Sequence, residues 1–271
     1  MSIDDDIVKH YESGIESIRL FIGVSQLERV RTREIILRYL PRTPSKILDV
    51  GGAAGFYSFW LADMGHEVHL VDPVPLHIKQ AREYSEKSGK GLASIQVAEA
   101  RKLQFEDDYF DIVLFLGPMY HITERKEREE ALTEARRVLR TDGLIFCVGV
   151  SRYASMLDGF FSNLVADSRF VEIMNRDLRD GQHRNPTDNL DYWTTAYLHQ
   201  PEELRKEIIE AGFKSEKLLA IDGFGWLLPA FNDKWQKKGY QNLLLQTIRN
   251  VEEDDSIIGV SAHIMVIARR E

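Results

Sequence analysis

The chain has 271 residues, of which 44% are hydrophobic and 29% charged, with a net charge of −8. That length allows one large domain, or a core domain with an appended cap. The acidic balance disfavours a nucleic acid or an anionic membrane as partner, since both select a basic face, and no apolar run approaches the roughly 20 residues that span a bilayer.

In chain order, the N-terminus MSIDDDIVKH opens with acids and lacks the basic-then-apolar order of a secretory signal. The segments IESIRLFI and LERVRTREIILRYL carry apolar residues near the helical period, and Pro41 and Pro44 end the pattern. From Lys46 to Val150 strands and helices alternate. The strands are expected at Lys46–Val50, Glu67–Val71, Ala93–Val97, Phe110–Leu116 and Gly143–Val150. A helix between the first two carries Tyr57, Trp60, Leu61 and Met64 on one stripe and stops at Gly65. Another, between the last two, turns Leu132, Ala135, Val138 and Leu139 inward, with Thr123 as its expected N-cap. Strands that are apolar throughout and separated by helices imply a parallel sheet covered on both faces. The single cysteine, Cys147, lies in the strand GLIFCVGV as a small buried hydrophobe; it cannot form an internal disulfide, which fits a cytosolic setting.

After Val150 the rhythm changes. Residues 151–200 read as a cap, helical over MLDGFFSNLVADSRFVEIM and loop-like over RDGQHRNPTDNLDYW. QPEELRKEIIEAGF is a well-marked helix, with Pro201 at its start and Gly212 at its stop. A strand over Lys214–Ala220, a Gly- and Trp-rich loop at 222–229, a helix to about Asn250 and the strand in GVSAHIMVIARR complete the chain. The expectation is an α/β fold, doubly wound and Rossmann-like, around a mostly parallel seven-stranded sheet. Residues 1–45 form N-terminal helices, 46–150 the cofactor-binding core, and 151–200 a helical cap insertion. Residues 201–271 complete the sheet, with 222–229 as a lid loop.

The chemistry concentrates in ILDVGGAAGFYSFWLADMGHEVHLVDP. In a doubly wound sheet, ligands bind at the carboxyl ends of the strands where the strand order reverses. The turn after the first strand is such a place, and its small residues let a ligand approach the backbone and the free N–H groups of the next helix. Asp72 ends the second strand about 20 residues on, where an acid can accept hydrogen bonds from a ribose diol. The dinucleotide pattern G-x-G-x-x-G fits in no frame, because Ala53 and Ala54 stand where the second glycine is required. The pattern D-x-G-x-x-x-G, Asp49–Gly51–Gly55, places an acid before the turn, where it can hold a cationic amine. A nucleoside with an amino-acid tail suits it better than a pyrophosphate does.

With ILDVGGAAG, VHLVDP, VAEARKLQFEDDYFDIVLFLGPMYHI and EARRVLRTDGLIFC in this order, the chain resembles the class I S-adenosylmethionine-dependent methyltransferases, in the broad group of type 11 and type 25 methyltransferase domains. The resemblance covers about Lys46–Val150. Ala53 replaces the middle glycine of the family's turn. The resemblance implies S-adenosylmethionine as cofactor, with Asp49 and the Gly51, Gly52 and Gly55 backbone facing its methionine part. Asp72 would bind the ribose hydroxyls, Pro73 would lie beside the adenine, Glu99 and Ala100 would stand near the adenine edge, and Leu116 would lie beneath the cofactor. The segment GPMYHI falls at the methyl end, which makes Tyr120 and His121 the catalytic candidates; an imidazole can take a proton near neutral pH. N-terminal helices of this kind often close over the cofactor, with Tyr11 and Arg31 as candidates and a guanidinium able to pair with the methionine carboxylate. Tyr153, Trp193, Tyr197 and Trp226, in the cap and lid loop, are the substrate-binding candidates, as aromatics that would exclude water around a flat or apolar acceptor. For most cap aromatics, packing in the cap's own core is the stronger expectation, with Trp226 the least suited to it. His183 and His199 have no metal-ligand spacing, and no metal is expected. The reading is therefore methyl transfer to a small molecule. An RNA or tRNA methyltransferase, a non-catalytic cofactor-binding protein and a nicotinamide-dependent oxidoreductase stand as rivals.

Overall fold

The computed structural model describes residues 19–187 and 189–271. Its central strand is β1 (Lys46–Val50), paired in parallel on one side with β2 (Glu67–Asp72) and on the other with β4 (Phe110–Phe115). β3 (Ser94–Val97) extends β2, and β5 (Leu139–Ser151) extends β4, all in parallel. Beyond β5 lies the antiparallel β9 (His263–Arg270), and beyond that β8 (Phe213–Ala220). The chain runs outward from β1 through β2 to β3, then crosses back to β4 on the other side. The carboxyl ends of β1 and β4 thus flank the point of reversal, where a crevice opens in folds of this kind.

Every strand of the centre is apolar because both faces are covered. On β1, Leu48 and Val50 face a cluster with Leu132, Ala135 and Ile208, from α5 (Arg125–Val138) and α8 (Pro201–Glu210). Ile47 faces the opposite cluster, with Ile35, Ile36 and Leu61 from α1 (Ser25–Tyr39) and α2 (Phe56–Asp63). Helix α3 (Pro75–Ser88) follows β2 and packs Ile78 and Ala81 against Leu70 and Phe59. A four-residue helix, α4 (Pro118–His121), follows β4.

The seven expected strands are all present, but the sheet has nine. Two further short strands from the cap extend it: β6 (Gln182–His183), and β7 (Ala196–His199), which pairs in parallel with the last residues of β5. Their alternation is too short to separate from the surrounding polar loop in the sequence. The cap's helices are α6 (Ala154–Phe161) and α7 (Ser168–Asp180). The carboxylate of Asp167 caps α7 by accepting from the Arg169 N–H at 2.9 Å. Gly181 ends α7 at φ +76°, where a Cβ would lie 2.5 Å from the Leu198 carbonyl. The single helix expected before Asn250 is two, α9 (Phe231–Trp235) and α10 (Lys238–Val251), with Lys237 between them in extended backbone. Thr123 is not the N-cap of α5. That place belongs to Glu124, and the Thr123 carbonyl accepts from Arg128 at 2.8 Å and from Gln182 at 3.1 Å. No helix among the described residues is long and apolar enough to cross a membrane.

Candidate active site

The turn after β1 runs Gly51–Gly55. The Gly51 N–H donates to the Val71 carbonyl at 2.8 Å and ties the turn to β2. Gly51 and Gly55 adopt φ +69° and +85°, and Gly55 caps α2. Gly52 has no room for a side chain: a Cβ there would lie 2.5 Å from the Asp49 carboxylate and from Leu70. Ala53 adopts φ +48°, the left-handed region that a glycine would enter without strain.

Two arms of one cleft meet over this turn, sharing Gly51, Ala53, Gly117 and Tyr120. The first arm runs over Asp72, Pro73, Glu99 and Ala100, with His77 and His121 also in its wall. The second runs over Asp49, Gly52 and Leu116 to Tyr57, Trp60 and Arg33. The core residues singled out in the sequence are therefore gathered in one place, Asp49 and Asp72 in different arms, except Gly55, which caps α2 and lines neither arm.

Asp49 is 1% exposed. Ser58 Oγ donates to its Oδ2 at 2.6 Å, and its Oδ1 is buried with no hydrogen-bond partner among the described residues. Burial pushes the carboxyl up to about 7; the Ser58 hydrogen bond opposes the rise and the Asp72 charge adds to it. A buried acceptor with an open lone pair suits a cationic donor arriving from the cleft. Asp72 is held by three donors: Ala53 N–H to Oδ2 at 2.9 Å, and Val74 N–H at 2.9 Å and His77 Nδ1 at 3.0 Å to Oδ1. Since a carboxylate has no proton to give, His77 carries its hydrogen on Nδ1. Two oxygens offer about four acceptor sites, so Asp72 keeps capacity for a hydroxyl. Glu99 accepts from Arg101 at 2.5 Å, and Arg101 also pairs with Glu127 at 2.8 Å. Tyr120 and His121 stack obliquely, ring centroids 4.5 Å apart, on α4. The cap strand β7 rests on this short helix.

Several sequence candidates lie elsewhere. Arg31 does not reach the cleft. It is fully buried, donates to the Ile221 carbonyl at 3.2 Å, and pairs with Glu34 at 2.9 Å and with Glu252. Its side chain is spent on joining α1 to the sheet and to the end of α10. Tyr11 lies outside the described residues. Tyr197 is 8% exposed and belongs to the interior: its hydroxyl donates to Glu203 at 2.5 Å, and the Arg128 guanidinium lies 3.8 Å from its ring centroid. Trp193 packs 5.7 Å from the His183 ring, inside the cap. His183 there bonds Asp177 and the Tyr192 carbonyl, each at 2.8 Å. Tyr153 rests against Gly259. Trp226 donates to the Val260 carbonyl at 2.9 Å, and its loop packs on α1 and α10, with Gly225 close against Leu27 and Ile248. None of these four aromatics lines either arm. The aromatic wall comes instead from α2 and the segment before α1: Phe21, Phe56, Tyr57 and Trp60. Ser58 and His77, which hold the two acids, and Arg33 were missed. The signal for Arg31 was available, since Leu27, Arg31 and Ile35 fall at spacings of four on the buried stripe, and Arg33 lies off it.

Residues 48–147 match the protein family described as a methyltransferase domain. An uncharacterized methyltransferase of Bacillus subtilis is 27% identical over 198 residues, 73% of this chain and 66% of that one. A ubiquinone/menaquinone biosynthesis C-methyltransferase of Acidiphilium cryptum is 31% identical over 153 residues, 55% of this chain and 57% of that one. The matches thus span just under two thirds of the first relative and over half of the second. In fold, the crystal structure of a SAM-dependent methyltransferase of Methanosarcina mazei is similar at a TM-score of 0.59 and 18% identity, covering 87% of this chain and 96% of that one.

Proposed function

Because residues 48–147 belong to the methyltransferase domain family, in a chain with the class I fold of S-adenosylmethionine-dependent enzymes, we propose that this protein moves the methyl group of S-adenosylmethionine to a small-molecule acceptor. S-adenosylhomocysteine is the second product. The observation that carries this reading is the two-armed cleft at the point of strand reversal, with a buried, half-satisfied carboxylate in one arm and a three-fold anchored carboxylate in the other.

Bound S-adenosylmethionine supplies a methyl carbon already activated by its sulfonium. The residues then have to align and enclose rather than to supply a strong base. Asp49, steadied by Ser58, accepts the ammonium of the amino-acid tail. Asp72 accepts a ribose hydroxyl, and Pro73, Ala100 and Glu99 form the adenine side. Leu116 and Gly117 form the floor where the arms join. Tyr120, common to both arms, stands at the methyl, and His121 beside it takes a proton from a hydroxyl or amine acceptor when the acceptor has one to lose. The acceptor enters beneath the cap, which Thr123 fastens to the segment after β4 through Gln182 at 3.1 Å and Arg184 at 3.0 Å. The buried free thiol of Cys147 fits a reducing, cytosolic compartment.

The test is methyl transfer from labelled cofactor into a metabolite extract, alongside calorimetry with S-adenosylhomocysteine and NAD. Label in a product and binding of S-adenosylhomocysteine alone are expected; binding of NAD alone overturns the reading. Asp72→Ala should weaken S-adenosylhomocysteine by about 1–3 kcal/mol, the scale for hydrogen bonds to a charged group. An unchanged affinity removes Asp72 from the site.

A further inference from the structure

Tyr120 and His121 stand on a helix of a single turn. Its backbone bonds are few: the Tyr120 and His121 N–H groups donate to the Gly117 carbonyl at 3.3 and 3.4 Å, and the Ile122 N–H to the Pro118 carbonyl at 2.9 Å. So short a helix has no ladder to hold its axis, and the aim of its side chains is set by what fastens its two ends. At the start, Pro118 lies against the turn after β1, where a Cβ on Gly51 would stand 3.3 Å from its Cδ. At the end, Arg128 reaches back from the first turn of α5. Its Nη1 donates to the carbonyls of Ile122 at 3.1 Å and Thr123 at 2.8 Å.

The guanidinium is itself fixed. Nε and Nη2 donate to the two Glu207 oxygens at 2.8 Å each, and its carbon lies 3.8 Å from the ring centroid of Tyr197, in β7. The cap converges on the same short segment: Gln182 donates to the Thr123 carbonyl at 3.1 Å and Arg184 to the Thr123 hydroxyl at 3.0 Å. Stability is a weak reason for a buried pair of this kind, since apolar residues of similar volume often replace one without loss. What the guanidinium supplies, and an apolar side chain does not, is a rigid fork of N–H groups. Here the fork ties the chain after α4 to α8, while its face rests on the cap.

We propose that Arg128 is a positioning residue for methyl transfer. Held by Glu207 and Tyr197, it fixes Ile122 and Thr123 and thereby aims Tyr120 and His121 into the cleft, in register with the seating of the cap. The proposal rests on the reading of those two residues as the ones at the transferred methyl. A displacement of about 1 Å in an aligning group can lower a rate on the order of a hundredfold, and Arg128 lines neither arm of the cleft. Its loss therefore acts on turnover and not on what the cofactor touches.

The variants are Arg128→Lys and Arg128→Leu/Glu207→Met, each checked for cooperative unfolding. Transfer of labelled methyl into a metabolite extract is followed against cofactor concentration, and calorimetry measures S-adenosylhomocysteine. In the double variant kcat falls by about tenfold to a hundredfold, while the cofactor KM and the affinity for S-adenosylhomocysteine keep their wild-type values. Arg128→Lys, which keeps the charge but loses the fork, falls in between. A second readout needs no acceptor. In histidine-labelled protein, the NMR signals of the His121 ring, assigned through His121→Ala, move in both variants, while those of His66, at the amino ends of the strands, stay in place. Wild-type kcat in the double variant overturns the proposal, as does a fall in kcat matched by an equal loss of S-adenosylhomocysteine affinity. Unmoved His121 signals overturn it by themselves. Should the double variant fail to fold, Arg128→Lys decides through the same two readouts. Wild-type protein that transfers no label overturns the reading of the site instead, and the His121 signals then decide whether Arg128 positions α4.

Discussion

Ala53 sits at φ +48° in a turn where its neighbour Gly52 has no space for a methyl group. The two positions make opposite predictions. Ala53→Gly removes left-handed strain of about 1–2 kcal/mol but loosens the unfolded chain by about 0.4–1 kcal/mol. Stability by urea unfolding should therefore be unchanged or slightly raised, with S-adenosylhomocysteine still bound. Gly52→Ala drives a Cβ into Asp49 and Leu70, an overpacking of about 1–3 kcal/mol, and calorimetry should find binding lost. Asp49 itself should leave a pH signature. Its carboxyl rises from an ordinary 3.8 to about 7 in the fold, chiefly through burial. The native state then holds a proton that the unfolded chain has released, so this group's contribution to stability falls as pH rises from 3.8 to about 7. Asp49→Asn should flatten that part of the profile in urea titrations of the ligand-free protein; an unchanged slope would show that Asp49 is ionised throughout. These acids were legible because one is the last residue but one of β1 and the other the last of β2, each at a fixed spacing from a small-residue turn. Their holders, Ser58 and His77, were not, since a serine and a histidine inside helices have no pattern until the fold sets them beside an acid.

At the scale of elements, α5 and α8 are joined by a buried ion pair. Arg128 meets Glu207 through two hydrogen bonds of 2.8 Å, with both side chains 1% exposed. The same guanidinium holds the Ile122 carbonyl at 3.1 Å and the Thr123 carbonyl at 2.8 Å, directly after Tyr120 and His121. Breaking one side leaves a buried charge, so Glu207→Met should cost about 3–5 kcal/mol in urea unfolding, and the paired change Arg128→Leu/Glu207→Met considerably less. A similar cost for both would mean that packing, not charge, dominates. Burial opposes the ionised form of Glu207, but Arg128 and then His199 outweigh it and hold the carboxyl at about 2. Its stabilising share is therefore complete above an ordinary 4.5 and disappears as pH falls toward 2, the opposite sense to Asp49. The elements themselves were readable from period and punctuation: β1 and α8 fall within a residue of expectation. The cap's ribbon was not, because β6 has two residues and takes its order from β7, which in turn pairs with the end of β5.

For the whole molecule, the cleft draws on the turn after β1, the end of β2, the loop after β3, α4 and the chain from Arg19 into α1. A ligand bridging them should stabilise the fold as a unit. S-adenosylhomocysteine at 100 times its Kd should add about 2.7 kcal/mol, a rise in Tm of roughly 5–10 °C, and NAD should add none. A rise with NAD alone in thermal denaturation would point to a dinucleotide site.

The amino-acid sequence by itself determined the alternating sheet, the turn Gly51–Gly55 with its flanking acids and the likeness of residues 48–147 to a methyltransferase domain, because each depends on local order: period, turn chemistry and the spacing of strand ends. Only the tertiary structure decided that Arg33, off the buried stripe of α1, lines the cleft, and that the wall is built by Phe21, Phe56 and Trp60 rather than by Tyr197 and Trp226. An aromatic or a guanidinium serves equally well as core, ion pair or ligand wall, and its role is set by neighbours far away in the chain.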